Sequence, residues 1–154
     1  MIQTLLAIAL TLGLQTANAA VSVVPPSDVQ EKVRPILDLC RQAVAAQGER
    51  QNTSFYEAAS LAGKLFQDRT KSSDEALVVL MHYYIGEATG EDLLHHVTIR
   101  GKRMLPLLLK YRDAHIVFPK RKYPSSSFLS LAVRKANFDN SIRSVRAGKI
   151  IGDD

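Results

Sequence analysis

Apolar residues recur at steps of three and four along most of this chain, which is the period of an amphipathic helix. Val29, Val33, Ile36, Leu37, Cys40 and Val44 make one such face. It is opened by the capping box Ser27-Asp28-Val29-Gln30, whose hydroxyl and amide side chains suit the first unpaired backbone donors. Pro35 lies inside the run and removes a helical donor, so a kink is expected there, and Gly48 reads as the stop. A second box, Ser54-Phe55-Tyr56-Glu57, predicts the start of another helix with Phe55, Ala58, Ala59, Ala62, Leu65 and Phe66 as its stripe. Ser72-Ser73-Asp74-Glu75 predicts a third, running to about Ile85 and apolar on nearly all sides, as befits the buried centre of a small domain.

Gly86-Glu87-Ala88-Thr89-Gly90 reads as a loop, and Glu91 to Tyr111 as a long fourth helix. Leu93, Leu94, Val97, Gly101, Met104, Leu105 and Leu108 fall within an arc of about 120° on that helix. Pro106 predicts a kink or split near Arg103. Asp113 to Ser127, with Pro119 and Pro124, reads as loop or extended chain. Phe128 to about Arg146 reads as a fifth helix, offering Leu129, Ala132, Val133, Ala136, Ile142 and Val145 for packing. Strand signals are almost absent. The fold class is all-α: a compact single domain of five or six helices. Leu105-Pro106-Leu107-Leu108-Leu109 resembles the opening of a HEAT helix, which implies HEAT-like helix pairs. That match occurs once, and no period of roughly 33–47 residues repeats.

The N-terminus follows a different logic. Leu5 to Leu14 is uncharged and largely apolar, and is followed by Gln15-Thr16 and the small-x-small tripeptide Ala17-Asn18-Ala19. This is the layout of a secretory signal peptide, although no Lys or Arg precedes the apolar run. The run is too short to cross a bilayer, which takes about 20 residues. The expected organisation is a signal peptide over 1–19, an extended lead-in over 20–26, and a helical domain over 27–154 with a loop at about 113–127. The mature chain is then exported, periplasmic or secreted, with no transmembrane span.

Composition narrows the classes further. The 154 residues are 46% hydrophobic and 23% charged, with one cysteine and no tryptophan. This is globular composition, and one thiol cannot build a disulfide scaffold, a cysteine zinc finger or an iron–sulfur cluster. Cys40 lies on an apolar stripe and reads as a buried structural thiol, with an intermolecular disulfide as the rival in an oxidising compartment.

Charge is laid out unevenly. Residues 20–99 carry seven Lys and Arg against eleven Asp and Glu, whereas residues 100–150 carry thirteen against two. Such asymmetry implies a polarised surface that attracts anions. Nucleic acid would lead for a chain kept inside the cell. For an exported one, the anions are acidic proteins, anionic envelope polymers and phospholipid headgroups. The contrary reading is a solvated basic face that pairs with the chain's own acidic half. Arg103, Lys120, Arg121, Lys122, Arg134 and Lys135 are the candidate partner-binding residues, with Lys120-Arg121-Lys122 in a proline-flanked loop.

The one candidate for chemistry is Glu91-Asp92-Leu93-Leu94-His95-His96. Glu91 and His95 are four apart, as are Asp92 and His96, so two carboxylates and two imidazoles share a helix surface in a pattern that suits a divalent metal. Helical geometry puts both histidines about 120–140° from the apolar centre, on the wet side. No nucleophile elbow, phosphate-binding loop or metallopeptidase motif occurs, and no cofactor is expected. The reading is a small exported helical protein that binds an acidic protein partner through its basic C-terminal half, in an adaptor, inhibitor or immunity-type role. The alternatives are a metal-dependent envelope enzyme built on Glu91, Asp92, His95 and His96, or a peripheral binder of an anionic polymer or membrane.

Overall fold

The computed structural model describes residues 21–46, 48–83, 87–123 and 129–153, with side chains described at all of these except 87–91. Six α-helices and one short parallel strand pair are found among them. In chain order they are β1 (Ser22–Val23), α1 (Ser27–Ala45), α2 (Glu49–Gln67), α3 (Lys71–Leu80), α4 (Glu87–Ile99), a 3-10 turn (Gly101–Met104), α5 (Leu105–Tyr111), β2 (His115–Ile116) and α6 (Leu131–Ala147). The protein is mostly helical, as the periodicity predicts.

α1 buries Val29, Val33, Ile36, Leu37, Cys40 and Ala43, which is the predicted face except that Ala43 replaces the exposed Val44. Pro35 is on the exposed side and the helix runs through it, because the lost bond falls where water can serve the orphaned carbonyl. The predicted capping box is displaced. Helix begins at Ser27 itself, and Gln30 Nε2 donates to the Pro25 carbonyl at 2.6 Å.

α2 starts at Glu49, directly after Gly48, whose φ of 71° turns the chain from α1 into α2. Ser54 is therefore inside the helix and not its cap. Within its polar first turns Thr53 donates back to the Glu49 carbonyl at 3.0 Å. Ala58 and Ala62 are fully buried, and α1 and α2 form the most extensive helix contact of the molecule.

α3 is the centre. Every residue from Ala76 to Tyr83 is buried, and α3 packs on α1, α2, α4 and α5. Its cap is Thr70, two residues before the predicted Ser72, with Thr70 Oγ1 accepting from the Ser73 N–H at 3.4 Å. Helix gives way to turn at Met81, earlier than the predicted end near Ile85, and residues 84–86 lie outside the described set.

One boundary in the second half differs from expectation and another agrees with it. Glu87–Gly90, expected as loop, is helical and forms the start of α4; one Gly in a helix costs only about 1 kcal/mol, which neighbouring turns absorb. The predicted long helix divides near Arg103, as expected: α4 ends at Ile99 and the 3-10 turn Gly101–Met104 follows, opened by Gly101 with its φ of 76°. Pro106 sits in the first turn of α5, where its missing N–H has no intrahelical partner to lose. Leu93, Val97, Met104 and Leu108 from the predicted arc are buried.

β1 runs parallel to β2, pairing Ser22 with His115 and Val23 with Ile116. His115 N–H donates to the Val21 carbonyl at 2.8 Å and Val117 N–H to the Val23 carbonyl at 2.9 Å, tying the lead-in to the loop. α6 begins at Leu131 on a Ser130 cap and ends at Gly148, whose φ of 70° allows Lys149 N–H to reach the Ser144 carbonyl at 2.8 Å. Its buried residues are Phe138, Ser141, Ile142 and Val145. Ala132, Val133 and Ala136, expected in the core, are exposed because the face that meets α4 and α5 is set by Phe138. No helix among the described residues is long and apolar enough to cross a membrane.

Candidate functional site

The histidine pair on α4 is engaged in holding the fold. Leu93 and Val97 seat α4 in the core, and this phase leaves His95 and His96 half-buried, where helical geometry had placed them on the wet side. His95 Nδ1–H donates to the Ile151 carbonyl at 2.9 Å, and the Ile151 N–H donates to Thr98 Oγ1 at 3.0 Å. Together they fasten the C-terminal residues across α4. The Asp153 carboxylate is 3.9 Å from His95. The His96 ring stacks on Phe66 of α2 with centroids 4.5 Å apart and planes 12° from parallel. Burial and the neighbouring His95 and Arg100 lower the His96 pKa. Asp92 is exposed, and the Glu91 side chain lies outside the described set. Among the described residues, no group of three or more His, Cys, Asp or Glu side chains is gathered as a metal would need.

The basic half folds back onto the acidic half at three places. The first is deep. Arg100, whose side chain is 2% exposed, donates to Asp74 and, at 3.1 Å, to Ser73 Oγ, while its other terminal nitrogen donates to the carbonyls of Leu65, Phe66 and Asp68 at 3.1, 3.1 and 2.7 Å. One guanidinium thus caps the C-terminus of α2 and neutralises a carboxylate at the start of α3. Arg103, 47% exposed, reaches the same Asp74 oxygen at 2.9 Å.

The second place is Glu75, whose Oε1 accepts from Tyr111 Oη at 2.5 Å and from Lys110 Nζ at 2.9 Å. Burial and Glu75 push the Tyr111 phenol above its ordinary range. The third is Asp38 on α1. Its Oδ1 accepts from Tyr123 Oη at 2.5 Å and from Arg121 at 2.6 Å, with Arg41 at 3.5 Å and also lying over the Tyr123 ring. Tyr123 is buried and packs edge-on against Phe118 and Tyr83. Asp38 is therefore the anchor of the loop that follows β2.

These contacts sort the candidate partner-binding residues. Arg103 and Arg121 are tied to Asp74 and Asp38. Arg134 is half-buried on α6. Lys120, Lys122 and Lys135 are exposed and make no ion pair among the described residues, as is also true of Lys102, Arg143, Arg146 and Lys149. Arg143, Arg146 and Lys149 were not singled out from sequence. The signal was present, since Lys135, Arg143 and Arg146 fall within about 80° of one another on a helix.

Two buried groups complete the inventory. Cys40 is fully buried, and burial pushes its thiol up to about 12, which fits a structural thiol and leaves no surface for a bridge to another chain. His82 is 1% exposed, donates through Nε2 to the Tyr111 carbonyl at 2.6 Å, and lies edge-on to Phe138. Burial lowers its pKa to about 4, so it is neutral at pH 7. At the surface, an open groove of about 610 Å³ between α1 and α2 is lined by Gln42, Arg50, Thr53, Ser54 and Glu57 among others.

Comparison with known protein families, with curated proteins and with solved structures finds no match to this chain.

Proposed function

We propose that this chain is an exported small helical protein that works by binding an acidic protein partner through its basic C-terminal half, in an adaptor, inhibitor or immunity-type role. The observation that carries the reading is what remains after internal pairing. Arg100, Arg103, Lys110 and Arg121 are paired with Asp74, Glu75 and Asp38 of the first half, yet seven exposed cations beyond residue 100 have no such partner among the described residues. A surplus of that size on a chain of net charge +5 raises the local concentration of anions and the rate at which they are met. Of the candidate partner-binding residues, Lys120, Lys122 and Lys135 are the exposed ones that make no ion pair among the described residues. Export rests on the apolar run Leu5–Leu14 and the Ala17-Asn18-Ala19 tripeptide, which suit a leader cut after Ala19.

The test has two arms. Mass spectrometry of the protein expressed with its own leader should find Ala20 at the N-terminus; a product that retains residues 1–19 would overturn export. The mature protein, used as bait on the native envelope fraction, should retain one acidic protein in stoichiometric amount at low salt and release it as salt rises. An empty bait at low salt would sink the binding reading.

A further inference from the structure

Resting on that reading, we infer that the docking surface is one flank of α6, formed by Lys135, Arg143 and Arg146, and that its occupant is a line of carboxylates on an acidic protein. The rival surface is the loop Lys120-Arg121-Lys122. There the central guanidinium is bonded to Asp38 at 2.6 Å, and the same carboxylate anchors Tyr123, so part of the loop's charge is cancelled within the molecule. The α6 flank is different. Lys135, Arg143 and Arg146 are all exposed and make no ion pair among the described residues. Asp139 lies between them on the same flank, but its carboxylate is held by Arg112 at 2.8 Å, so this pair adds no net charge and the three cations stand as a surplus.

Geometry favours the flank as well. From Lys135 to Arg146 is eleven residues, a straight line of about 16 Å along the helix axis. α6 is fixed at both ends, by the Ser130 cap and by Gly148, and is pinned to the core through Phe138, Ile142 and Val145. Three charges on a fixed frame lose less freedom on binding than charges on a loop. Two of the three are guanidiniums one turn apart, which suit bidentate pairing with carboxylates. Ala132 and Ala136, exposed beside them, let a partner backbone come close without a steric collar.

The probe is a synthetic helical peptide with glutamates along one face at positions i, i+4, i+7 and i+11, compared with its glutamine counterpart, with binding read by fluorescence anisotropy at low salt. Wild-type protein should bind the glutamate peptide and not the glutamine one. The triple variant K135E/R143E/R146E should weaken binding tenfold or more with an unchanged circular dichroism spectrum, and K120E/K122E should change it less than twofold. If K120E/K122E abolishes binding while the α6 variant keeps it, the α6 flank is wrong and the acidic-partner reading survives. If wild-type protein binds neither peptide, both fall. Vesicles containing phosphatidylglycerol form the last arm: retention on them through the same three residues, without peptide binding, would overturn the acidic-protein occupant in favour of a membrane surface.

Discussion

Replacing Arg100 with methionine isolates the contact that joins the two halves of the chain. Methionine keeps an unbranched apolar stem but removes every donor. The Asp74 carboxylate, 8% exposed, would then face the interior with only Arg103 as counter-charge, and the carbonyls of Leu65, Phe66 and Asp68 would lose their shared guanidinium donor. Removing one member of a buried ion pair costs about 3–5 kcal/mol, most of it the burden of the uncompensated charge. Arg103 stays on Asp74 and holds the loss to the lower part of that range, so a decrease of about 3 kcal/mol is expected. Urea unfolding followed by circular dichroism reads it directly. Arg103→Met is the control. Its side chain is 47% exposed and should cost less than about 1 kcal/mol. Adding Asp74→Asn to Arg100→Met removes the orphaned charge and should recover part of the loss, a coupling that a double-mutant cycle measures. A loss below about 1 kcal/mol for Arg100→Met, or no coupling with Asp74, would refute the assignment of this pair as the central brace.

Two further outcomes follow from the buried groups. The His82 pKa of about 4 lies below the ordinary 6.5, so the unfolded chain takes up a proton that the folded one refuses; stability is complete above pH 6.5 and falls by up to about 3 kcal/mol as pH drops toward 4. His82→Gln, which keeps a donor for Tyr111, should flatten the pH dependence of the urea midpoint in that window, and an unchanged slope would count against it. Cys40 should react with a thiol reagent only in denaturant, because its buried thiol is pushed up to about 12; labelling of the native protein within minutes would contradict the placement.

The helices were legible because their buried faces repeat. Val29, Val33, Ile36, Leu37 and Cys40 on α1, and the nearly continuous apolar run of α3, carry a signal that survives any error at the ends. The ends were less legible because several residues compete for each cap: Thr70, Ser72 and Ser73 all carry hydroxyls, and what decides is that Ser73 Oγ is drawn inward to the Asp68 carbonyl at 2.5 Å. α6 misled for another reason. Its apolar residues occupy two sides, and only the three-dimensional position of Phe138 shows which side is inside. The strand pair is two residues long, too short for alternation to register. At the candidate site, the α4 histidines were placed by contacts with Phe66 and Ile151, 30 and 56 residues away in sequence, which local spacing does not encode. The Asp38 cluster spans 85 residues and was invisible for the same reason.

The charge segregation read from the sequence therefore has two components, and they call for different experiments. One is internal: Asp74 with Arg100 and Arg103, Glu75 with Lys110, and Asp38 with Arg121 join an acidic first half to a basic second half. Reversing Arg121 to Glu would put a carboxylate against Asp38 and push the loop, with its Tyr123, off that anchor, so lost binding in that variant would say nothing about a partner. The other component faces outward, on Lys102, Lys120, Lys122, Lys135, Arg143, Arg146 and Lys149, where reversal disturbs no ion pair of the described residues. Only substitutions in this second set separate recognition from folding. An acidic partner bound on the α6 flank must be sensitive to reversal of Lys135, Arg143 and Arg146 while urea stability stays within about 0.5 kcal/mol of wild type.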